Sequence, residues 1–197
     1  RLDGVTGVQT CALPICLILN NANAIASGRA NTIFRANDGT YGFAAFAAGS
    51  SSGAMQKLGG LTAVTSSATI NNNATNYLIT AGSYTTAATA DFSTLTFDST
   101  GGAINFALGA THTLNSSNNG KAMLFSGSSD VNLTGGTATT GASALWLHNY
   151  LDASATLNLG VNWGNSVHLL VGGTGFTNYT GLGLGMSAGS DLVVNGG

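Results

Sequence analysis

Few side chains in this sequence could do chemistry, and they are scattered. Its 197 residues carry five Lys or Arg, seven Asp, no Glu, three His and two Cys. Beyond residue 15 the acids are Asp38, Asp91, Asp98, Asp130, Asp152 and Asp191. Acid/base hydrolysis of sugars needs two placed carboxylates. A pectate-lyase-like reaction would need an Asp cluster for Ca²⁺ beside a basic residue. Nearly all six aspartates flank alternating runs or sit in turn clusters, where a carboxylate bonds nearby backbone. Arg29, Arg35, Lys57 and Lys121 show no grouping with them along the chain.

The histidines His112, His148 and His168 could hold zinc if they stacked in line. Their separations, 148 − 112 = 36 and 168 − 148 = 20, share no period, which favours surface or coil-edge roles. Serine is abundant, but no Gly-x-Ser-x-Gly nucleophile elbow is expected. Gly172-Gly173-Thr174-Gly175-Phe176-Thr177 starts like a calcium-binding nonapeptide but has Thr177 in place of the aspartate, which leaves a glycine turn. Three Thr-x-Thr triplets, at Thr94/Thr96, Thr111/Thr113 and Thr137/Thr139, would suit an ice-binding face only if aligned. Their steps, 111 − 94 = 17 and 137 − 111 = 26, give no reason for one face over ordinary β-propensity. Trp146, Tyr150, Trp163 and Tyr179 are candidate glycan contacts if exposed; the competing reading is packing against an adjacent loop. Trp146 lies between Leu145 and Leu147 and so should point away from the core. No catalytic, cofactor or metal residue is assigned, and the chain is expected not to be an enzyme.

The elements that must position these residues are strands. The chain is 44% hydrophobic, enough to bury a core, but only 6% charged, with 29 Gly and runs of Ser, Thr, Asn and Ala. An average soluble domain is about 25% charged. Hydroxyl and amide groups replace charge, a habit of long extracellular β-proteins with many tight turns. The net charge of −2 comes with no basic patch, so no nucleic-acid partner is expected. No apolar run approaches the roughly 18 residues of a spanning helix, so no membrane insertion by this segment is expected.

Residues 5–15 read Val-Thr-Gly-Val-Gln-Thr-Cys-Ala-Leu-Pro-Ile. This matches the translation of a common sequencing-library adapter without a break. Residues 1–15 are therefore expected to be a non-native adapter-derived segment, with the native N-terminus and any export signal missing. That removes Pro14, the only proline, and Cys11, leaving Cys16 without a partner and no disulfide framework.

Residues 16–197 are read as one β-solenoid domain, a fragment of a longer protein. Period-two alternation marks Thr94-Leu95-Thr96-Phe97, Ile104-Asn105-Phe106, Met123 with Phe125, Val131-Asn132-Leu133, Leu145-Trp146-Leu147, Leu157-Asn158-Leu159 and Val167-His168-Leu169. Turn clusters separate them at residues 98–102, 115–120, 126–130, 134–136 and 172–175. Residues 32–34 and 40–46 read as strands around an Asn37-Asp38-Gly39 hairpin turn. Residues 49–60 read as a loop with one helical turn at 54–58; strands resume at 61–64, 68–71 and 77–80. Strands every ten or so residues, two or three to a coil of roughly 20–30 residues, favour a solenoid. Stacked Asn and Ser/Thr ladders between coils are expected, as in cross-β stacks.

Several segments resemble the passenger regions of autotransporter-associated β-strand repeat proteins. They are residues 31–43, Leu95-Thr96-Phe97-Asp98 with 103–108, residues 124–128 and 131–136, Leu145-Trp146-Leu147-His148-Asn149-Tyr150, and residues 169–181 followed by 189–194. At residues 181–185, in the last coil, Gly-Leu-Gly-Leu-Gly departs from the repeat. The resemblance implies an all-β, right-handed parallel β-helix, export from a bacterium and no known chemistry. It also implies a C-terminal translocator barrel or sorting segment that this chain lacks. The expected function is a non-catalytic structural or adhesive segment of a secreted or outer-membrane-associated surface protein. Its partners would be the rest of its own solenoid, that missing segment and surface glycans. A carbohydrate-binding or carbohydrate-active β-helix is the alternative, and an ice-binding solenoid a weaker one.

Overall fold

A computed structural model describes residues 33–46, 55–65, 70–72, 74–86, 90, 92–108, 111–113, 121–139, 144–163, 168–181 and 191–195. All regular structure among them is strand. Strands β1 (Ile33–Arg35), β2 (Tyr41–Phe46) and β3 (Met55–Lys57) form a small antiparallel sheet. Then follow β4 (Thr62–Ala63), β5 (Asn76–Ile79), β6 (Gly82–Thr86), β7 (Thr94–Asp98), β8 (Ile104–Leu108) and β9 (Thr111–Thr113). The rest are β10 (Lys121–Gly127), β11 (Val131–Thr139), β12 (Ala144–Leu151), β13 (Thr156–Trp163), β14 (His168–Gly173), β15 (Phe176–Tyr179) and β16 (Asp191–Asn195).

From β4 onward the strands divide between two parallel sheets. One has the order β4-β5-β7-β10-β12-β14-β16 and the other β6-β8-β11-β13-β15, with β9 also pairing with β11. Parallel neighbours need a crossover. From the β5–β7 crossover onward a strand in the opposite sheet forms part of each crossover, so the chain winds as an all-β parallel solenoid with two sheets; the β4–β5 crossover holds no such strand among the described residues. Coil length is uneven. Asn76, Thr94, Ala122 and Trp146 are successive partners in one row, and the step from Thr94 to Ala122 is half as long again as that from Asn76 to Thr94.

The core lies between the two sheets. In the first, Tyr77, Leu95, Met123, Leu147 and Val171 fall in one register row. In the second, Ile104, Val131 and Leu157 do, beside Phe106, Leu133 and Leu159. Phe97 stacks on Phe125 of the next coil at 4.8 Å and meets Phe106 across the core edge-on at 5.6 Å. Burying each such side chain contributes about 1.5–3 kcal/mol, but only when a neighbouring coil covers it. Strand β13 keeps strict alternation of buried and half-buried residues.

Coils are also tied by polar side chains. Asn132 Nδ2 donates to Asn105 Oδ1 at 2.9 Å, Asn158 Nδ2 to Asn132 Oδ1 at 2.8 Å, and Asn178 Nδ2 to Asn158 Oδ1 at 3.2 Å. This is the expected asparagine ladder. An amide can do this because it carries donor and acceptor together. Buried Asn149 points inward; its Nδ2 donates to Phe176 O at 3.0 Å and Thr177 Oγ1 at 2.9 Å, and its Oδ1 accepts from Leu151 N at 3.1 Å. Buried Ser99 donates to Ser129 O at 2.6 Å.

Three local expectations are corrected. The helical turn at 54–58 is instead strand β3 over Met55–Lys57, because the free edge of β2 offers backbone partners, pairing Ala44 with Lys57 and Phe46 with Met55. The Thr134-Gly135-Gly136 cluster is not a turn between strands but a bulge inside β11, where Gly135 and Gly136 at φ +76° and +56° absorb a register shift. Strand β6 lies where the sequence shows no strand signal: Gly-Ser-Tyr-Thr-Thr has too little apolar alternation, with only Tyr84 and Thr86 tucked in. The suspected adapter segment, residues 1–15, lies outside the described residues, as do residues 16–32.

Candidate functional site

The antiparallel sheet lies on the outer face of the first parallel sheet. Phe43 of β2 is buried with Ala122 and Leu124 of β10, and Ile33, Tyr41, Leu58, Trp146 and Tyr150 pack around them. This cover explains β10, where Ala122 to Phe125 are buried on both faces. The sequence carried a signal for it. Ala122-Met123-Leu124-Phe125 is apolar on both faces, as a strand covered on both sides should be.

A cleft of about 360 Å³ opens where the hairpin meets the sheet, lined among others by Asp38, Lys57, Asp98, Tyr150 and Asp152. The hairpin side is set by local chemistry. Gly39, at φ +86°, allows the tight turn, and its N–H donates to Ala36 O at 3.0 Å. Asp38 Oδ1 accepts from Thr40 N at 2.9 Å and from Thr40 Oγ1 at 2.7 Å. Lys57 runs its stem over Gly42, where any side chain would collide with it, and its Nζ donates to Thr40 Oγ1 at 3.0 Å. The Thr40 side-chain bond, then the Thr40 backbone bond, hold the Asp38 carboxyl below its ordinary value; the Lys57 charge acts in the same direction.

The solenoid side is set by register. Asp98 of β7, Ser126 of β10 and Tyr150 of β12 form one row across three coils. Asp98 Oδ1 accepts from Thr100 N at 3.0 Å. Asp152 follows β12 and is placed by its N–H, which donates to Gly127 O at 2.9 Å. The two walls join at Tyr41 and Tyr150, whose rings stack at 4.3 Å and 18°. Burial, then the neighbouring Tyr41 hydroxyl, pushes the Tyr150 hydroxyl up.

Three carboxylates and one ammonium give the cleft a formal charge of 1 − 3 = −2. Such a lining accepts hydrogen bonds from hydroxyl or ammonium groups and offers them an aromatic wall. Among the described residues no three His, Cys, Asp or Glu side chains are grouped to hold an ion. Sequence spacing could not reveal this cleft, because unequal stretches of chain separate Asp98, Ser126 and Tyr150, which become one row only once coil lengths are known.

The four aromatic candidates do not form one row. Trp146 faces outward from β12, as expected, and so does Tyr150, but both are half-buried under the antiparallel sheet. Trp163 is 3% exposed inside the core, with Nε1 unpartnered among the described residues, so it offers no ring face at the surface. Tyr179, 38% exposed, sits in the other parallel sheet, where its hydroxyl donates to Val161 O at 3.4 Å. Burial pushes that hydroxyl's pKa up.

The histidines are also dispersed. His112 is in the second sheet, while His148 and His168 are in the first, opposite Gly172 and Ala144. His148 is packed between Phe43 and Trp146, each 6.2 Å away between ring centres. Burial alone lowers its pKa to about 4. Two threonine triplets do align, Thr111 with Thr137 and Thr113 with Thr139. The third is in the other sheet, with Thr94 and Thr96 buried, so the three do not share a face. Asp130 Oδ1 accepts from Thr156 N at 2.8 Å, a structural bond between coils. Asp191 begins β16. Gly173, at φ +116°, makes the expected glycine turn. Against the expectation of no such motif, Gly49-Ser50-Ser51-Ser52-Gly53 and Gly185-Met186-Ser187-Ala188-Gly189 both fit the Gly-x-Ser-x-Gly spacing, and Asp91 is a further acid; all lie outside the described residues.

Comparison with family models, with curated proteins and with solved structures returned no match to this chain.

Proposed function

We propose that this chain is a non-catalytic β-solenoid segment of an exported bacterial surface protein, a rigid spacer that carries its cover sheet away from the cell. The observation that carries the reading is the stacking itself. Neighbouring strands in each sheet pair in parallel, a core row runs from Tyr77 to Val171, and the Asn105–Asn132–Asn158–Asn178 ladder ties four successive coils. Such an array lengthens by adding coils without changing the contacts already made. Its low charge, with amide and hydroxyl groups in place of ionic ones, suits a life outside the cell. Val194, 64% exposed on β16, continues the core row of Leu147 and Val171 and is where a further coil would stack.

The resemblance to autotransporter-associated repeat passengers supplies the export route, a C-terminal translocator or sorting segment. The test is immunolabelling and protease digestion of intact cells that carry the native gene. Labelling of unpermeabilised cells, and loss of the label on digestion, is the expected result. Signal seen only after permeabilisation overturns the reading.

A further inference from the structure

We propose that the cleft between the hairpin and the solenoid wall binds a single neutral glycan chain, held by the carboxylates of Asp38, Asp98 and Asp152 against the wall that Tyr41 and Tyr150 build. Such binding does not depend on where the protein is displayed.

Each carboxylate keeps acceptor capacity in reserve. Both side-chain bonds of Asp38 fall on Oδ1, and Asp98 likewise uses Oδ1. Asp152 spends only its backbone, and its carboxylate has no partner among the described residues. Three acids from different parts of the chain thus bring uncommitted oxygens to one cavity. Carboxylate oxygens are the strongest acceptors a protein has for hydroxyl donors, because the bond is charge-assisted.

The remaining lining selects the class of ligand. A divalent ion needs several oxygens converged at about 2.3–2.6 Å, and no such grouping exists among the described residues. An acidic sugar would meet a formal charge of −2. A purely apolar ligand would leave three carboxylates desolvated and unpaired. A neutral sugar meets both demands, since its ring hydroxyls donate to the carboxylates while its C–H face covers aromatic surface. Lys57, held on Thr40 Oγ1, adds a donor at the hairpin rim. A volume of about 360 Å³ is at the small end for small-molecule sites. It has walls from two sheets, so it fits one chain rather than a flat crystalline surface.

Two of the carboxylates are held in place before any ligand arrives. Asp38 is fixed by two bonds to Thr40 within its own turn, and Asp98 by the Thr100 N–H. A binding site benefits from such preorganisation because less freedom is lost when ligand arrives.

The experiment is titration of the ¹⁵N-labelled full chain with maltotriose and with cellotriose, and separately with spermine and CaCl₂, following amide shifts. The expected result is saturable shifts with at least one trisaccharide, confined to residues 38–43, 57–61, 96–100, 126–127 and 150–152. Asp98→Asn and Asp152→Asn, isosteric and on the surface of the cleft, should each weaken binding about tenfold, the scale of a charge-assisted hydrogen bond. Asp130→Asn, away from the cleft, should leave it unchanged. Unaltered circular dichroism spectra show that the variants fold. No saturation by either trisaccharide at about 20 mM, a concentration that would reveal millimolar binding, overturns the proposal. So does binding of spermine or Ca²⁺ alone, or sugar binding indifferent to both cleft variants.

Discussion

Replacing Asn149 by alanine should cost more stability than losing any rung of the asparagine ladder. Asn149 is 1% exposed, and its side chain makes three bonds at 2.9–3.1 Å. Two of them cross to the next coil, at Phe176 and Thr177, and the third satisfies the Leu151 N–H beside it. A typical hydrogen bond contributes about 0.5–1.5 kcal/mol net, and a buried donor left unpaired costs about 1–3 kcal/mol. Counting the Leu151 bond once, as the unpaired donor, and the two cross-coil bonds beside it, the loss comes to about 2–6 kcal/mol. With a urea dependence of about 2 kcal/mol per molar, that shifts the unfolding midpoint down by about 1–3 M. Equilibrium unfolding by circular dichroism reads it, and hydrogen exchange locates it. The amides of Gly175, Thr180 and Gly181, which bond back to Asn149 O and Leu159 O, should exchange faster in the variant. A midpoint within about 0.2 M of the parent, the size of an ordinary surface substitution, would refute the claim that this side chain stitches the coils.

Within the ladder, Asn158→Ala removes two bonds and Asn105→Ala one, so losses of about 1–3 and 0.5–1.5 kcal/mol are expected in that order; chemical denaturation showing the reverse order sinks the ladder account. Gly127→Ala should destabilise strongly, because at φ +111° the new carbon would sit 2.5 Å from Thr100 N, whereas Gly59→Ala, with nothing within 4 Å, should change little; thermal melts of the pair check it. His148 has a folded pKa of about 4 against an ordinary 6.5, so the unfolded chain binds the proton first as pH falls. Its contribution is therefore present above about 6.5 and lost progressively down to about 4, at most about 3 kcal/mol. A His148→Leu variant should show a flatter stability profile in that window, and an unchanged slope would assign the acid sensitivity elsewhere.

The repeating core was legible in the sequence because it depends on short-range pattern. Leu95 with Phe97, Leu157 with Leu159 and Val131 with Leu133 alternate, and a half-buried strand imposes that period wherever it occurs. The Asn37-Asp38-Gly39 turn was legible for the same reason, since its geometry is decided locally. Asn105, Asn132 and Asn158 were recognisable as ladder material, though not as one ladder. What failed were readings that depend on a distant partner. Residues 55–57 are a strand because β2 has a free edge, not because Met-Gln-Lys prefers to extend.

The cleft shows the division most sharply. The sequence by itself determined that the chain would be strands and turns around a continuous core, with few charges to place. It could not set coil lengths, which differ by half between the steps from Asn76 to Thr94 and from Thr94 to Ala122. Since loops of unequal length leave the strand pattern unchanged, alternation carries no information about which coil faces which. Only the tertiary structure decided that Asp98, Ser126 and Tyr150 share a row, that the hairpin folds back over Ala122 and Leu124, and that Asp38 and Lys57 thereby face Asp152 across one cavity.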